Sequence, residues 1–189
     1  PDAKMGYEAC LQALEHPATA MGNVGAGTGA TVGKLCGMER ASKTGIGCYA
    51  MALGELQVAA VVVVNALGDI FDPVNGTKIA GLMNEDRTAF GDSCEELWKL
   101  GCPQNLFTGN TTIGAVITNG QFNKAQMNKI ASMTRNAYAR CINPVGTMAD
   151  GDSIYAASIG DVKADINVTG TLAAHVMERA IVKAVESAR

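Results

Sequence analysis

The chain has 189 residues, 48% of them hydrophobic and 17% charged, with a formal net charge of −3 at pH 7. That is enough apolar material for one domain with a sizeable core, and it excludes a disordered chain. The slight acidic excess excludes a basic face for nucleic acid or for an anionic membrane surface.

Residues 2–16 place Met5, Cys10, Leu11 and Leu14 at helical spacing, which predicts a helix ended by His16-Pro17. Residues 22–34, "GNVGAGTGATVGK", form a glycine-rich loop leading towards a strand. Residues 46–52 and 56–64 read as two strands, hairpin-paired through Leu53, Gly54 and Glu55. The longest apolar run, "VAAVVVV" at 58–64, suits a buried strand and is far too short to span a membrane. Residues 65–90 are expected to be a long connection with turn signals at "DPVNGTK". A short helix around Leu97 and Trp98 is predicted at 92–100, followed by a turn-rich, mobile stretch, "GCPQNLFTGN", at 101–110.

The next strand is expected at 111–118. Residues 124–142 predict one amphipathic helix with Met127, Ile130, Ala131, Thr134, Tyr138 and Cys141 on its inner face. Residues 153–158 read as a strand, and 171–188 as a final helix with Leu172, Val176, Ala180 and Val185 inward. Strands and helices both recur, so the class is α/β or α+β.

Six cysteines are dispersed without CxxC spacing, and His16 and His175 lie far from any cysteine cluster, so neither a zinc site nor another cofactor is expected. Scattered cysteines in a chain of this size read as reduced and buried, which points to the cytoplasm. No signal peptide is visible, and an opening on Pro1 reads as a fragment or a processed product.

Four stretches carry candidate chemistry. The glycine-rich loop fails as a phosphate loop, because Thr28 stands where the first Gly is needed and Leu35 where Ser or Thr should follow Lys34. A dinucleotide fingerprint at Gly25, Gly27 and Ala30 lacks a convincing strand before it. The loop can still line a site, with Lys34 as a positioned cation. Asn65, at the end of a predicted central strand, either begins a turn or aims an amide donor at an oxyanion. Asp150 and Asp152, before the strand at 153, are either turn residues or paired carboxylates that hold an ammonium group. Thr111 either starts a strand or, once the Asn110–Thr111 bond is cut, becomes an N-terminal nucleophile with its own α-amine as base.

Taken together, "GNVGAGTGATVGK", "VVVVNALGD", "GNTTIGAVIT" and "NPVGTMADGDSIYAAS", in this order and spacing, resemble the L-aminopeptidase/D-amidase-esterase family, which includes the nylon-oligomer (6-aminohexanoate-oligomer) hydrolases. The likeness runs through essentially the whole chain. It implies a four-layer αββα sandwich of the N-terminal-nucleophile type and a precursor that cuts itself. By this resemblance Thr111 is the nucleophile and Asn110 the last residue of the first piece, giving subunits 1–110 and 111–189 of a single domain. Lys34 matches the active-site lysine, Asn65 the asparagine near the oxyanion, and Asp150 and Asp152 the paired aspartates of the nylon-hydrolase branch. Thr in place of Ser at the nucleophile also resembles that branch.

Family members usually carry over a hundred further residues upstream, including a tyrosine that helps bind the oxyanion. A missing upstream segment of the same protein is therefore an expected partner. The resemblance also implies a homo-oligomer of processed heterodimers acting on short peptides or amide oligomers, with neither nucleic acid nor membrane as partner. Two alternatives stay open: an ornithine-type N-acetyltransferase of related fold with a Thr nucleophile, and a ligand-binding homologue without the chemistry.

Overall fold

The computed structural model describes residues 2–15, 20–101 and 109–188. The helix end expected at His16-Pro17 and most of the stretch 101–110 lie outside them. In chain order the elements are α1 (Ala3–Glu15), β1 (Thr31–Val32), β2 (Ser42–Lys43), β3 (Ile46–Leu53), β4 (Leu56–Val63), β5 (Asp69–Phe71) and β6 (Lys78–Ala80). After them come α2 (Ser93–Lys99), β7 (Ile113–Gly120), α3 (Lys124–Thr134), α4 (Asn136–Cys141), β8 (Ile142–Asn143), β9 (Ser153–Val162) and α5 (Ile166–Glu186).

The centre is a four-stranded sheet in the order β3-β4-β7-β9. The hairpin β3–β4 closes on Leu53↔Leu56 around Gly54, whose φ of 60° suits the tight turn that the sequence predicted. β7 runs antiparallel to β4 and parallel to β9. Alternation splits the sheet into two faces. Val58, Ala60 and Val62 of β4 and Gly114, Val116 and Thr118 of β7 are buried on the side covered by α3, α4 and α5. Gly47 of β3 lets α5 approach closely, since a β-carbon there would strike the backbone of Ala180 and Ala184. The other face carries Ile113, Ile117, Tyr155 and Ile159, all exposed. The described residues thus build a central sheet covered by one helical layer, with an open apolar second face, a mixed α/β architecture as expected. A smaller sheet, β6-β5-β8, sits beside it.

Several elements depart from expectation. Residues 65–90 are not only a connection, because β5 and β6 pair antiparallel around the turn at Asp72–Thr77. The predicted helix at 124–142 breaks at Arg135 into α3 and α4. The Thr134 hydroxyl bonds back to the carbonyl of Ile130 at 2.8 Å, and Tyr138 N–H closes on the Arg135 carbonyl, so the ladder tightens and bends there. The final helix begins five residues early, since Asp165 caps the N–H groups of Asn167 and Val168. α1 forms, yet buries none of its residues and leaves Met5, Tyr7, Leu11 and Leu14 exposed. No described helix is long and apolar enough to cross a membrane.

Candidate active site

β4 delivers the chain directly into the site. Its ladder ends at Val63, Val64 N–H bonds the Gly45 carbonyl, and Asn65 follows in the bend. The glycine-rich loop reaches the same point from the other side. Gly33, at φ 68°, donates to the Gly68 carbonyl, and Lys34 N–H donates to Leu67. A β-carbon on Gly33 would collide with the backbone of Leu82, so this close approach requires glycine. Gly27 is likewise pressed against the backbone of Gly22 and Ile46. The turn at Gly33 sends Lys34 inward, where it is buried.

Lys34 Nζ donates to Asn65 Oδ1 at 2.8 Å, to the Asn65 carbonyl at 3.2 Å and to the Gly109 carbonyl at 3.4 Å. Loss of hydration pushes its pKa down from 10.5 to about 8, with the charge of Asp150 pulling it partly back. Asn65 is bonded through every polar group it has on this side. Its Oδ1 also accepts from Thr31 N–H, its Nδ2 donates to the Gly109 carbonyl at 2.9 Å, and its own carbonyl accepts from Thr111 N–H at 2.8 Å.

The segment 110–112 is stitched to the loop 147–153. Asn110 bridges Asp150, Gly151 N–H donates to the Asn110 carbonyl at 2.9 Å, and Ser153 N–H donates to the Thr112 carbonyl. The Thr111 hydroxyl lies 2.6 Å from the same Asn110 carbonyl oxygen. Asp152 Oδ1 accepts from Thr112 N–H at 2.8 Å, while its buried Oδ2 has no hydrogen-bond partner among the described residues. Burial raises the Asp152 pKa, the Thr112 N–H opposes that, and Asp150 adds to it while Arg135 offsets it. Asp150 Oδ2 is taken up locally by Thr147, from its N–H at 3.0 Å and its hydroxyl at 2.8 Å.

All six residues singled out in the sequence therefore converge. Lys34, Asn65, Asn110, Thr111, Asp150 and Asp152 lie along one continuous hydrogen-bonded patch, although 31 positions separate Lys34 from Asn65 and 40 separate Thr112 from Asp152. The two aspartates do not play symmetrical parts: Asp150 shapes its own loop, and Asp152 reaches the backbone beside Thr111. Sequence reasoning missed Thr147 and Gly151. The spacing Thr147-x-x-Asp150 was a turn signal, and the Gly between two Asp was the sign of a close backbone approach. Among the described residues no cluster of three or more His, Cys, Asp or Glu side chains is placed to hold a metal ion.

The family model of peptidase family S58 matches residues 2–189. The chain belongs to peptidase family S58. Two curated relatives of the family-matched chain are an uncharacterized aminopeptidase of Mycobacterium leprae, 33% identical over 87% of this chain, and a 6-aminohexanoate-oligomer endohydrolase of Agromyces, 30% identical over 97%. This S58 chain spans about half of their length, 46% and 56% respectively. Its fold is similar to that of the L-aminopeptidase D-Ala-esterase/amidase of Ochrobactrum anthropi, a variant of the N-terminal-nucleophile hydrolase fold, at a TM-score of 0.60 and 17% identity, covering 90% of this chain and 46% of that one. The expected fold class is thereby met.

Proposed function

We propose that this chain is the core of a self-processing amidohydrolase that cuts its own Asn110–Thr111 bond and then uses Thr111 to cleave amide bonds in short peptides or amide oligomers. The observation that carries the proposal is the placement of the Thr111 hydroxyl 2.6 Å from the Asn110 carbonyl oxygen, beside buried Lys34 and Asn65. The names of the relatives, an aminopeptidase and an amide-oligomer endohydrolase, support the same class of bond.

Cleavage gives pieces 1–110 and 111–189. Because β7 pairs with β4 and β9, the second piece stays locked in the sheet. The new amine stays near the Asn65 carbonyl, which already accepts from the Thr111 nitrogen. Lys34 donates to that same carbonyl, and its positive charge lowers the proton affinity of the amine. A neutral Thr111 amine takes the proton of its own hydroxyl as the hydroxyl attacks the substrate carbonyl. Departure of the Gly109–Asn110 end frees Asn65 Nδ2, now on the Gly109 carbonyl, to donate to the substrate oxyanion. Asp152 holds the Thr112 backbone and with it the orientation of the nucleophile.

The active protein is further proposed to be a cytoplasmic oligomer of such processed pairs, completed by an upstream segment against the open sheet face. An intact-mass spectrum under denaturing conditions tests the central step. Two species dividing between Asn110 and Thr111, and one uncut species for Thr111→Ala, are expected. A Thr111→Ala chain that still divides and keeps full amidase activity would falsify the assignment.

A further inference from the structure

Self-cleavage and substrate turnover both place negative charge on a carbonyl oxygen, and the uncut chain does not offer the same donor for both. The Asn65 amide points at the Gly109 carbonyl, one residue short of the scissile bond. The Asn110 carbonyl, by contrast, accepts from the backbone N–H of Gly151 at 2.9 Å, alongside the hydroxyl of Thr111, the nucleophile itself, at 2.6 Å. Resting on the self-processing reading above, we infer that Gly151 N–H is the oxyanion donor for cleavage of Asn110–Thr111, and that glycine is needed there so that the Thr111 hydroxyl can occupy its attacking position.

The surroundings make this N–H a fixed dipole. On one side, Asp150 is tied back to Thr147 by its carboxylate and by its own N–H, and Asn110 Nδ2 reaches the Ala149 carbonyl. On the other side, Asp152 is tied to Thr112 N–H. Gly151 cannot withdraw as charge builds, and a donor that needs no reorganisation is what lowers the barrier. A β-carbon on Gly151 would lie 2.8 Å from Thr111 Oγ1 and 3.7 Å from the Asn110 carbonyl oxygen. Any larger residue therefore displaces the hydroxyl while leaving the N–H in place.

Thr111 Oγ1 bonds to the Asn110 carbonyl carbon, and the C=O π pair moves onto oxygen, which then accepts a strengthened hydrogen bond from Gly151 N–H. The C–N bond then breaks, and the proton lost by the hydroxyl ends on the Thr111 nitrogen, leaving an ester and a free amine. Water hydrolyses the ester to the Asn110 carboxylate and the Thr111 hydroxyl.

The test replaces Gly151 by glycolic acid in the full chain, assembled by ligation, so that an ester oxygen stands where the N–H was and the shape is kept. Splitting followed by intact mass is expected to slow by roughly 10²–10³-fold, the loss usual for one oxyanion donor, with circular dichroism like that of the parent. Gly151→Ala, which keeps the N–H and crowds Oγ1, is expected to slow splitting by at least ~10-fold and guards against misfolding of the ester chain. Parental splitting rates in the ester chain overturn the donor role. Parental rates in Gly151→Ala overturn the steric role. In both cases the self-processing reading survives, whereas a parent chain that never divides at Asn110–Thr111 overturns both.

Discussion

Asp69, at the start of β5, accepts from Lys78 Nζ at 2.7 Å, Leu82 N–H at 2.8 Å, Ser93 N–H at 3.0 Å and Ser93 Oγ at 2.6 Å, and it is 1% exposed. Asp152, before β9, accepts from the single N–H of Thr112 and buries its second oxygen without a partner among the described residues. The first carboxylate is saturated by donors from three chain segments, and its work is to clasp residues 78–93 onto the small sheet. The second is under-bonded, so burial raises its pKa. A native fold tolerates an unsatisfied buried oxygen only where something else requires it. The contrast separates a carboxylate that holds the fold from one that we propose serves the site.

The largest expected effect comes from breaking the saturated member. Asp69→Asn leaves the Lys78 ammonium, itself mostly buried, without its counter-charge, and unfolding free energy should fall by ~3–5 kcal/mol in urea titration. A loss below about 1 kcal/mol would mean that Asp69 is not a structural clasp. Asp152→Asn should do the reverse. The Asn Oδ1 still accepts from Thr112 N–H and the desolvated charge is gone, so stability should change by less than ~1 kcal/mol, while Asp152→Ala, which drops the bond proposed to orient the nucleophile, should slow self-cleavage by about 10²-fold. A stability loss matching that of Asp69→Asn would erase the distinction.

Lys34 sharpens the comparison from the cationic side. Its folded pKa is about 8 against 10.5 for the free side chain, so between those values the unfolded chain binds more protons. Stability must then rise with pH from about 8 towards 10.5, and the gain is lost as pH falls through the folded value. Lys34→Met should flatten that rise, and an unchanged pH profile of the denaturation midpoint would remove Lys34 from the desolvated patch. The smallest effect is a control outside both networks. Asp165→Ala removes the N-cap of α5 and should lower stability by ~1 kcal/mol without altering the rate of self-cleavage.

The hairpin β3–β4, the strand after Thr111 and the last helix were legible because their signals are local: alternation around a Gly turn, or apolar residues at helical spacing. The breaks were harder to read. The bend at Arg135 depends on a Thr134 hydroxyl choosing the Ile130 carbonyl, and the early start of α5 on Asp165 preceding a run, "INVTG", that resembles a strand as much as a helix. β5 and β6 are three residues each and are fixed by Asp69, whose donors lie 9 to 24 positions away, outside any local pattern.

By itself the sequence singled out the candidate side chains, because Lys34, Asn65, Asn110-Thr111 and the Asp150–Asp152 pair stand in a recognisable order. It also determined that a core exists and that its sheet is built of β-branched strands. Only the tertiary structure decided that Asp150 bonds within its own loop while Asp152 bonds Thr112, and that a backbone N–H, invisible in any residue code, rests on the Asn110 carbonyl. The physical reason is that hydrogen-bond partners are chosen by distance in space. The register between 110–112 and 150–153 is set by how β7 and β9 pack under the helices, a choice that no window of sequence contains.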